Sequence, residues 1–158
     1  MKALLVVHSK TGHTILFARA IGERLREDGH DVDIKLLRTK GASRPYSRDV
    51  ELIRPPDPSE YDIVLAGSPV HGGTASPAAL AYLEELENLK GKRCAPFATF
   101  ALPFGGFGGC RRTLARLSGK LEALGATVVE GEGMFWMFGP NKTRMREACE
   151  RIASRLKQ

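Results

Sequence analysis

Ser9-Lys10-Thr11-Gly12-His13-Thr14 follows the apolar run Ala3-Leu4-Leu5-Val6-Val7 and opens an amphipathic stretch reaching to about Asp28. A buried strand, a hydroxyl-rich turn and a helix, in that order, form a βα unit whose turn sits at the helix N-terminus. The first N–H groups of a helix have no internal partner and lie at the positive end of its dipole, so they favour an anion. Ser9, Thr11 and Thr14 add hydroxyl donors, and Gly12 has no Cβ to keep a ligand away. The stretch reads either as a phosphate cradle or as a turn whose Ser and Thr cap the helix.

Outward from this unit, apolar runs recur at Val32–Leu37, Ile63–Ala66, Cys94–Phe100, Ala126–Val129 and the Met134–Phe138 region, with helical patterns between most of them. That alternation predicts an α/β fold, a three-layer doubly wound parallel sheet of five strands with right-handed helical crossovers. The first helix is expected from His13 to about Asp28, stopped by Gly29. The second follows Pro77 with Leu80, Leu83 and Leu86 inward and ends before Gly91. The third follows the glycine-rich Gly105–Gly109 stretch, carries Leu114, Leu117, Leu121 and Leu124, and stops at Gly125. The fourth follows Pro140-Asn141 and buries Met145, Ala148, Ile152 and Leu156. Between Thr39 and Glu60, four prolines and weak periodicity predict a short or absent helix. With strand order 2-1-3-4-5, the turn after strand one and the loop after strand three flank the topological switch point, where ligands bind.

Two further segments converge on that crevice. Gly67-Ser68-Pro69-Val70-His71-Gly72-Gly73 follows the third strand, and its paired glycines leave backbone N–H groups exposed and free to turn. Thr99-Phe100-Ala101-Leu102-Pro103-Phe104-Gly105-Gly106-Phe107-Gly108-Gly109 follows the fourth, combining apolar flats with glycines that admit a planar ligand. Together the three segments offer a phosphate cradle and a flat apolar slot.

These segments in a five-strand alternation resemble the flavodoxin-like family, over essentially the whole chain. The resemblance implies FMN as cofactor, with its phosphate held by Ser9, Lys10, Thr11, Gly12, His13 and Thr14. Its ring would lie between Ser68, Pro69, Val70, His71, Gly72 and Gly73 on one side and Thr99, Phe100, Ala101, Phe104, Gly105 and Gly106 on the other. The family's short-chain members have an uninterrupted fifth strand, which is expected here too. Where the family places a stacking aromatic, this chain has His71; Phe104 and Phe107 are candidates for the other face. His8 reads as a buried residue at the end of its strand. The flavin carries the redox chemistry, so no catalytic acid, base or nucleophile is expected. The implied function is electron transfer between a reduced donor, NAD(P)H or a partner protein, and a quinone, another small acceptor or a redox protein; whether as an enzyme or a pure carrier stays open. A homodimer is compatible with this. The alternative is a flavodoxin-like domain that has lost its flavin and serves as an interaction module.

Composition narrows the rivals. The 158 residues, 42% hydrophobic and 27% charged, suit one globular domain spanning 1–158. No run is long enough to span a membrane, and the start, Met1-Lys2 followed by a short apolar strand, has no signal-peptide pattern, so a cytoplasmic protein is expected. Cys94, Cys110 and Cys149 are odd in number and far apart, which argues against a CxxC motif or a zinc cage and leaves no metal expected. Cys110, near the third helix's expected start, is either a dipole-stabilised thiolate or an ordinary small side chain. His8-Ser9 and Gly67-Ser68 stand where a phosphoacceptor receiver domain needs acids, and the first turn has neither the GxGxxG nor the GxxxxGK[ST] pattern. Lys and Arg number 24 against 18 acids, for a net charge of +6. They are scattered without interleaved aromatics, which argues against nucleic acid. Arg112, Arg116 and Lys120 recur every four residues after Arg111, as a solvated helix face or as a positive rim at the flavin.

Overall fold

The structure, a computed structural model, describes residues 1–41, 50–101, 103–137, 139 and 141–158, with the backbone alone described for 103–107. The opening apolar run forms β1 (Lys2–Val7), buried from Ala3 onward. A strand apolar on both faces needs cover on both. Parallel neighbours flank it: β2 (Asp31–Leu36) on one side and β3 (Ile63–His71) on the other. Beyond β3 lies β5 (Arg93–Phe100), also parallel, while the two-residue β4 (Thr74–Ala75) folds back antiparallel on β3. The outer position beside β5 is shared by β6 (Thr127–Val128) and β7 (Glu132–Phe135). The path β2-β1-β3-β5-β6/β7 is the order expected, with the fifth position split in two.

Four helices complete the three layers. α1 (His13–Glu27) and α4 (Lys142–Lys157) enclose a core of Leu5, Val7, Phe17, Ile21, Phe97 and Ile152. On the opposite face, α2 (Pro77–Glu85) and α3 (Pro103–Ala123) cover Leu4, Val6, Val64, Tyr82 and Leu117. The buried stripe of α1 is Thr14, Phe17, Ala18, Ile21 and Leu25, and Gly29 at φ 90° follows its end. α4 starts at an Asn141 cap, whose side chain accepts from Arg144 N; Pro140 and Phe138 lie outside the described residues.

Four boundaries differ from expectation. β3 continues past Ala66 to His71, because Gly72 (φ 64°) and Gly73 (φ 79°) form a two-residue turn that pairs His71 with Thr74. Both turn residues in the left-handed region suit a type I′ hairpin, which only a glycine-like pair adopts cheaply. α3 begins at Pro103, so the glycine-rich stretch is helical backbone. The gain is close approach: a Cβ on Gly109 would stand 2.8 Å from Val70 Cγ1 and 3.2 Å from Gly73 Cα. α2 stops at Glu85, since Leu89 is fully buried with its N–H on Leu124 O, 2.7 Å away, a position the helix would not reach.

The fourth difference is the break in the last strand. Val129 N donates to Cys94 O and Trp136 N to Phe100 O, so the even-numbered residues of β5 direct their polar groups to this edge. Pro96 is one of them and has no N–H to give. The register accordingly slips there, from Cys94↔Val128 to Phe97↔Glu132, which inserts one extra residue. Gly131 sits at the slip, where any Cβ would fall 2.1 Å from Pro96 O. The Thr39–Glu60 connection bridges Thr39 to Leu52 and shows no helix among its described residues. Across the described residues, no helix is long and apolar enough to cross a membrane.

Candidate functional site

Parallel registers Val7↔Gly67 and Pro69↔Thr99 bring the C-terminal ends of β1, β3 and β5 to one sheet edge. The crevice there lies between the turn after β1, the β3–β4 hairpin and the residues that end β5.

The first turn leads into α1 through Gly12, at φ 87°, in a conformation that other residues adopt only with strain. Nothing lies within 4 Å of where a Cβ on Gly12 would be, so the approach to the helix terminus is open. Side-chain capping is slight: Ser9 Oγ accepts from Ile15 N at 3.4 Å, and Leu16 N turns to Gly12 O. The N–H groups of His13 and Thr14 have no partner among the described residues, and Lys10 and Thr11 are exposed beside them.

The opposite wall is satisfied from within. Ser68, fully buried, donates its hydroxyl to Pro69 O and accepts from Ser76 N at 2.9 Å. Ser76 caps α2 by accepting from Ala79 N, and its Oγ lies 2.8 Å from His8 Nδ1. The hydroxyl proton of Ser76 thus has His8 Nδ1 as its acceptor, an assignment drawn from the network that puts the His8 proton on Nε2. Burial first, then His71 and Lys10, lower the His8 pKa from 6.5 to about 4, which keeps the ring neutral. His71 is lowered as well, by burial and by Lys10. Both of its ring nitrogens are buried and unpartnered among the described residues, at the lip of the crevice.

Other ties join the site's elements. Thr14 Oγ1 and Thr99 Oγ1 share a buried 2.7 Å bond between α1 and the end of β5. His13 stacks on Trp136, ring centroids 5.1 Å apart at 14°, a pairing that sequence reading missed. Phe100 packs against Phe135 at 5.5 Å, and Ala101 is exposed after it. Arg112 Nε donates to Gly73 O and an Arg116 NH group to Thr74 Oγ1, while Lys120 pairs with Glu84. The basic row on α3 is therefore neither wholly solvated nor a free rim: its first two guanidinium groups grip the hairpin.

Of the expected contact residues, Ser9 to Thr14, Pro69 to Gly73 and Thr99 to Ala101 gather at this edge. The hydroxyl of Ser68 is spent on internal bonds, and those of Thr14 and Thr99 share one bond, which uses one of their two protons. Phe104, Gly105 and Gly106, with Phe107, belong to α3 backbone and their side chains lie outside the described residues. Cys110 faces Gly133 and is buried, with its thiol pushed up to about 11; the same cause raises Cys94 and Cys149 to about 12. None is a thiolate at neutral pH. No group of His, Cys, Asp and Glu able to hold a metal occurs among the described residues.

No protein-family model matches the chain. It is 28% identical over 141 residues to an NAD(P)H dehydrogenase (quinone) of Caulobacter vibrioides, a match that takes in 81% of this chain and 69% of the relative. A short-chain flavodoxin associated with a non-canonical PDU bacterial microcompartment superposes with a TM-score of 0.76 at 18% identity, covering 99% of this chain and 97% of its own. A flavoprotein in complex with FMN from Lactobacillus acidophilus superposes with a TM-score of 0.63 at 18% identity, covering 84% and 92%. The fold is flavodoxin-like.

Proposed function

We propose that this flavodoxin-like chain binds FMN in the crevice and transfers electrons between NAD(P)H, or a partner protein, and a quinone or another small acceptor. The observation that carries this reading is the open terminus of α1: unpartnered N–H groups on His13 and Thr14, behind a Gly12 that leaves space for an anion. The unpartnered nitrogens of His71 at the facing lip fit a polar planar group entering beside them. Bound flavin supplies the redox chemistry itself, by accepting and releasing electrons at its ring.

The chain's own residues do the rest. His13, Thr14 and the Ser9 and Thr11 hydroxyls hold the phosphate. The Ser68–Ser76–His8 network fixes the wall at the end of β3 and presents the Nε2 proton of neutral His8. Arg112 and Arg116 keep positive charge against the hairpin, which favours an anionic donor at this edge. Relatives named for NAD(P)H and quinone support the choice of donor and acceptor. Three free, buried cysteines suit a reducing, cytoplasmic setting.

A visible absorbance spectrum of the purified protein, before and after FMN addition, tests this. A bound-flavin band that bleaches anaerobically with NADPH or dithionite supports the proposal, whereas a colourless chain that FMN never reconstitutes overturns it. That second outcome would favour a flavin-free interaction module, a reading to which the inward commitment of the Ser68 hydroxyl and the bond between Thr14 and Thr99 lend weight.

A further inference from the structure

β2 closes one end of the sheet: β1 pairs with it on one side, and none of the described strands lies on the other. Asp31 and Leu37 give their N–H groups to Met1 O and Val7 O, so the odd-numbered residues of β2 turn their backbone polar groups to β1 and the even-numbered ones turn theirs outward. Val32 O accepts from an Arg26 NH group. The N–H of Val32 and both backbone groups of Ile34 and Leu36 have no partner among the described residues. A groove of about 760 Å³ opens along Ile34, Lys35 and Leu36 and gives access to this edge. Such a row of unpaired groups is a template for another strand.

The two faces of β2 define which strand fits. On the α1 side Val32 and Ile34 reach the core, and Leu36 is left 48% exposed. On the opposite side stand Asp33, whose Oδ2 accepts from the Tyr61 hydroxyl at 2.6 Å, and the exposed Lys35. A second β2 running antiparallel can meet this edge only with even residues opposite even ones, because those carry the outward groups. Pairing Val32 with Val32 sets Asp31 against Asp33. Pairing Val32 with Ile34 opposes two copies of Asp33, and pairing Ile34 with Leu36 opposes two copies of Lys35. Like charges directly across neighbouring strands are unfavourable. Pairing Leu36 with itself runs off the end of both strands. Pairing Ile34 with itself overlaps the strands fully and sets Asp33 of each copy against Lys35 of the other, twice by symmetry. That register also puts the exposed Leu36 across from Val32 and lets the two Ile34 residues exchange both backbone bonds. A lone edge lysine repels a second copy; with Asp33 two residues before it, Lys35 instead admits one register.

We infer that the chain forms a two-fold dimer by antiparallel pairing of β2 with β2 of a second copy, centred on Ile34, with Asp33 of each copy against Lys35 of the other. This interface lies on the sheet's β2 edge and does not depend on the flavin proposal.

Sedimentation of the full chain across a dilution series reaching roughly millimolar tests it, with Asp33→Lys and Lys35→Asp as separate variants. The native sequence reaches the mass of two chains. Either variant alone places like charges across the axis and raises the dimer Kd at least tenfold. An equimolar mixture of the two variants recovers the dimer, since each lysine of one then faces an aspartate of the other, a recovery that a misfolded variant would not give. Amide exchange at Ile34 slows in the native dimer relative to dilute chain. A native chain that stays monomeric throughout, a dimer indifferent to both variants, a mixture of folded variants that remains monomeric, or an Ile34 amide exchanging equally fast in the dimer would each overturn the assignment.

Discussion

The wall of the crevice that follows β3 is closed on itself, whereas the turn that follows β1 is left open. On the first, Ser68, Ser76, Ala79 and His8 pass hydrogen bonds from one to the next, so that the serine hydroxyls are used within the wall and only the His71 ring at its lip is left unpartnered among the described residues. On the second, Gly12 ends in space and two helix N–H groups have no acceptor among the described residues. Both are short polar segments at strand ends, yet one spends its polarity on rigidity and the other reserves it. Substitutions on the closed side should therefore register in stability, and those on the open side in binding.

The harshest way to break the contrast is Gly67→Ala, within β3 below the closed wall, where the new Cβ would stand 2.2 Å from Phe97 Cζ in the core. Denaturant titration should show a loss of about 3 kcal/mol with an unchanged slope. Acid should act next. His8 has a folded pKa of about 4 against 6.5 free, so the unfolded chain takes up its proton first. The His8 contribution is whole above pH 6.5, falls between pH 6.5 and 4, and is flat below. Relative to His8→Asn, the native sequence should lose on the order of 2 kcal/mol more between pH 7 and pH 4. Ser76→Ala removes the α2 cap and the acceptor-fixing partner of His8 together, for about 1.5 kcal/mol in the same assay. The smallest stability change belongs to the open side: Gly12→Ala, strained at φ 87°, should cost about 1 kcal/mol. Its FMN affinity should nonetheless fall about tenfold, measured by flavin fluorescence. Equal losses of affinity from Ser76→Ala and Gly12→Ala would erase the distinction.

What the sequence disclosed follows the same division. Local signals were sufficient for β1, for α1 with its Gly29 stop, and for the strand order, because apolar runs and helical stripes are read within one element. The features it concealed depend on partners distant along the chain. Gly72 and Gly73 read as a floppy loop until His71 pairs with Thr74. The glycines before Cys110 read as a ligand-admitting loop ahead of the third helix, although they lie within α3 and Gly109 is what lets that helix lie against the hairpin. Trp136 carries no local mark of its stacking on His13, and the hydroxyl of Thr14, legible as a phosphate donor, is claimed by Thr99 from 85 residues away. The convergence of the three segments at one sheet edge was thus apparent from sequence, but the allocation of their polar groups was not.

The slip opposite Pro96 exchanges odd for even. Before it, Ala126 and Val128 point to the layer of α2 and α3; after it, Met134 and Trp136 point to the layer of α1 and α4. A continuous ladder would have carried the even-numbered residues on towards α3 and left the indole far from His13. One proline without a donor and one glycine without a Cβ thereby act as a phase shifter, and they decide which helix the chain's single tryptophan serves. Removing one residue at Glu130 should restore the original phase and turn that indole to the opposite layer.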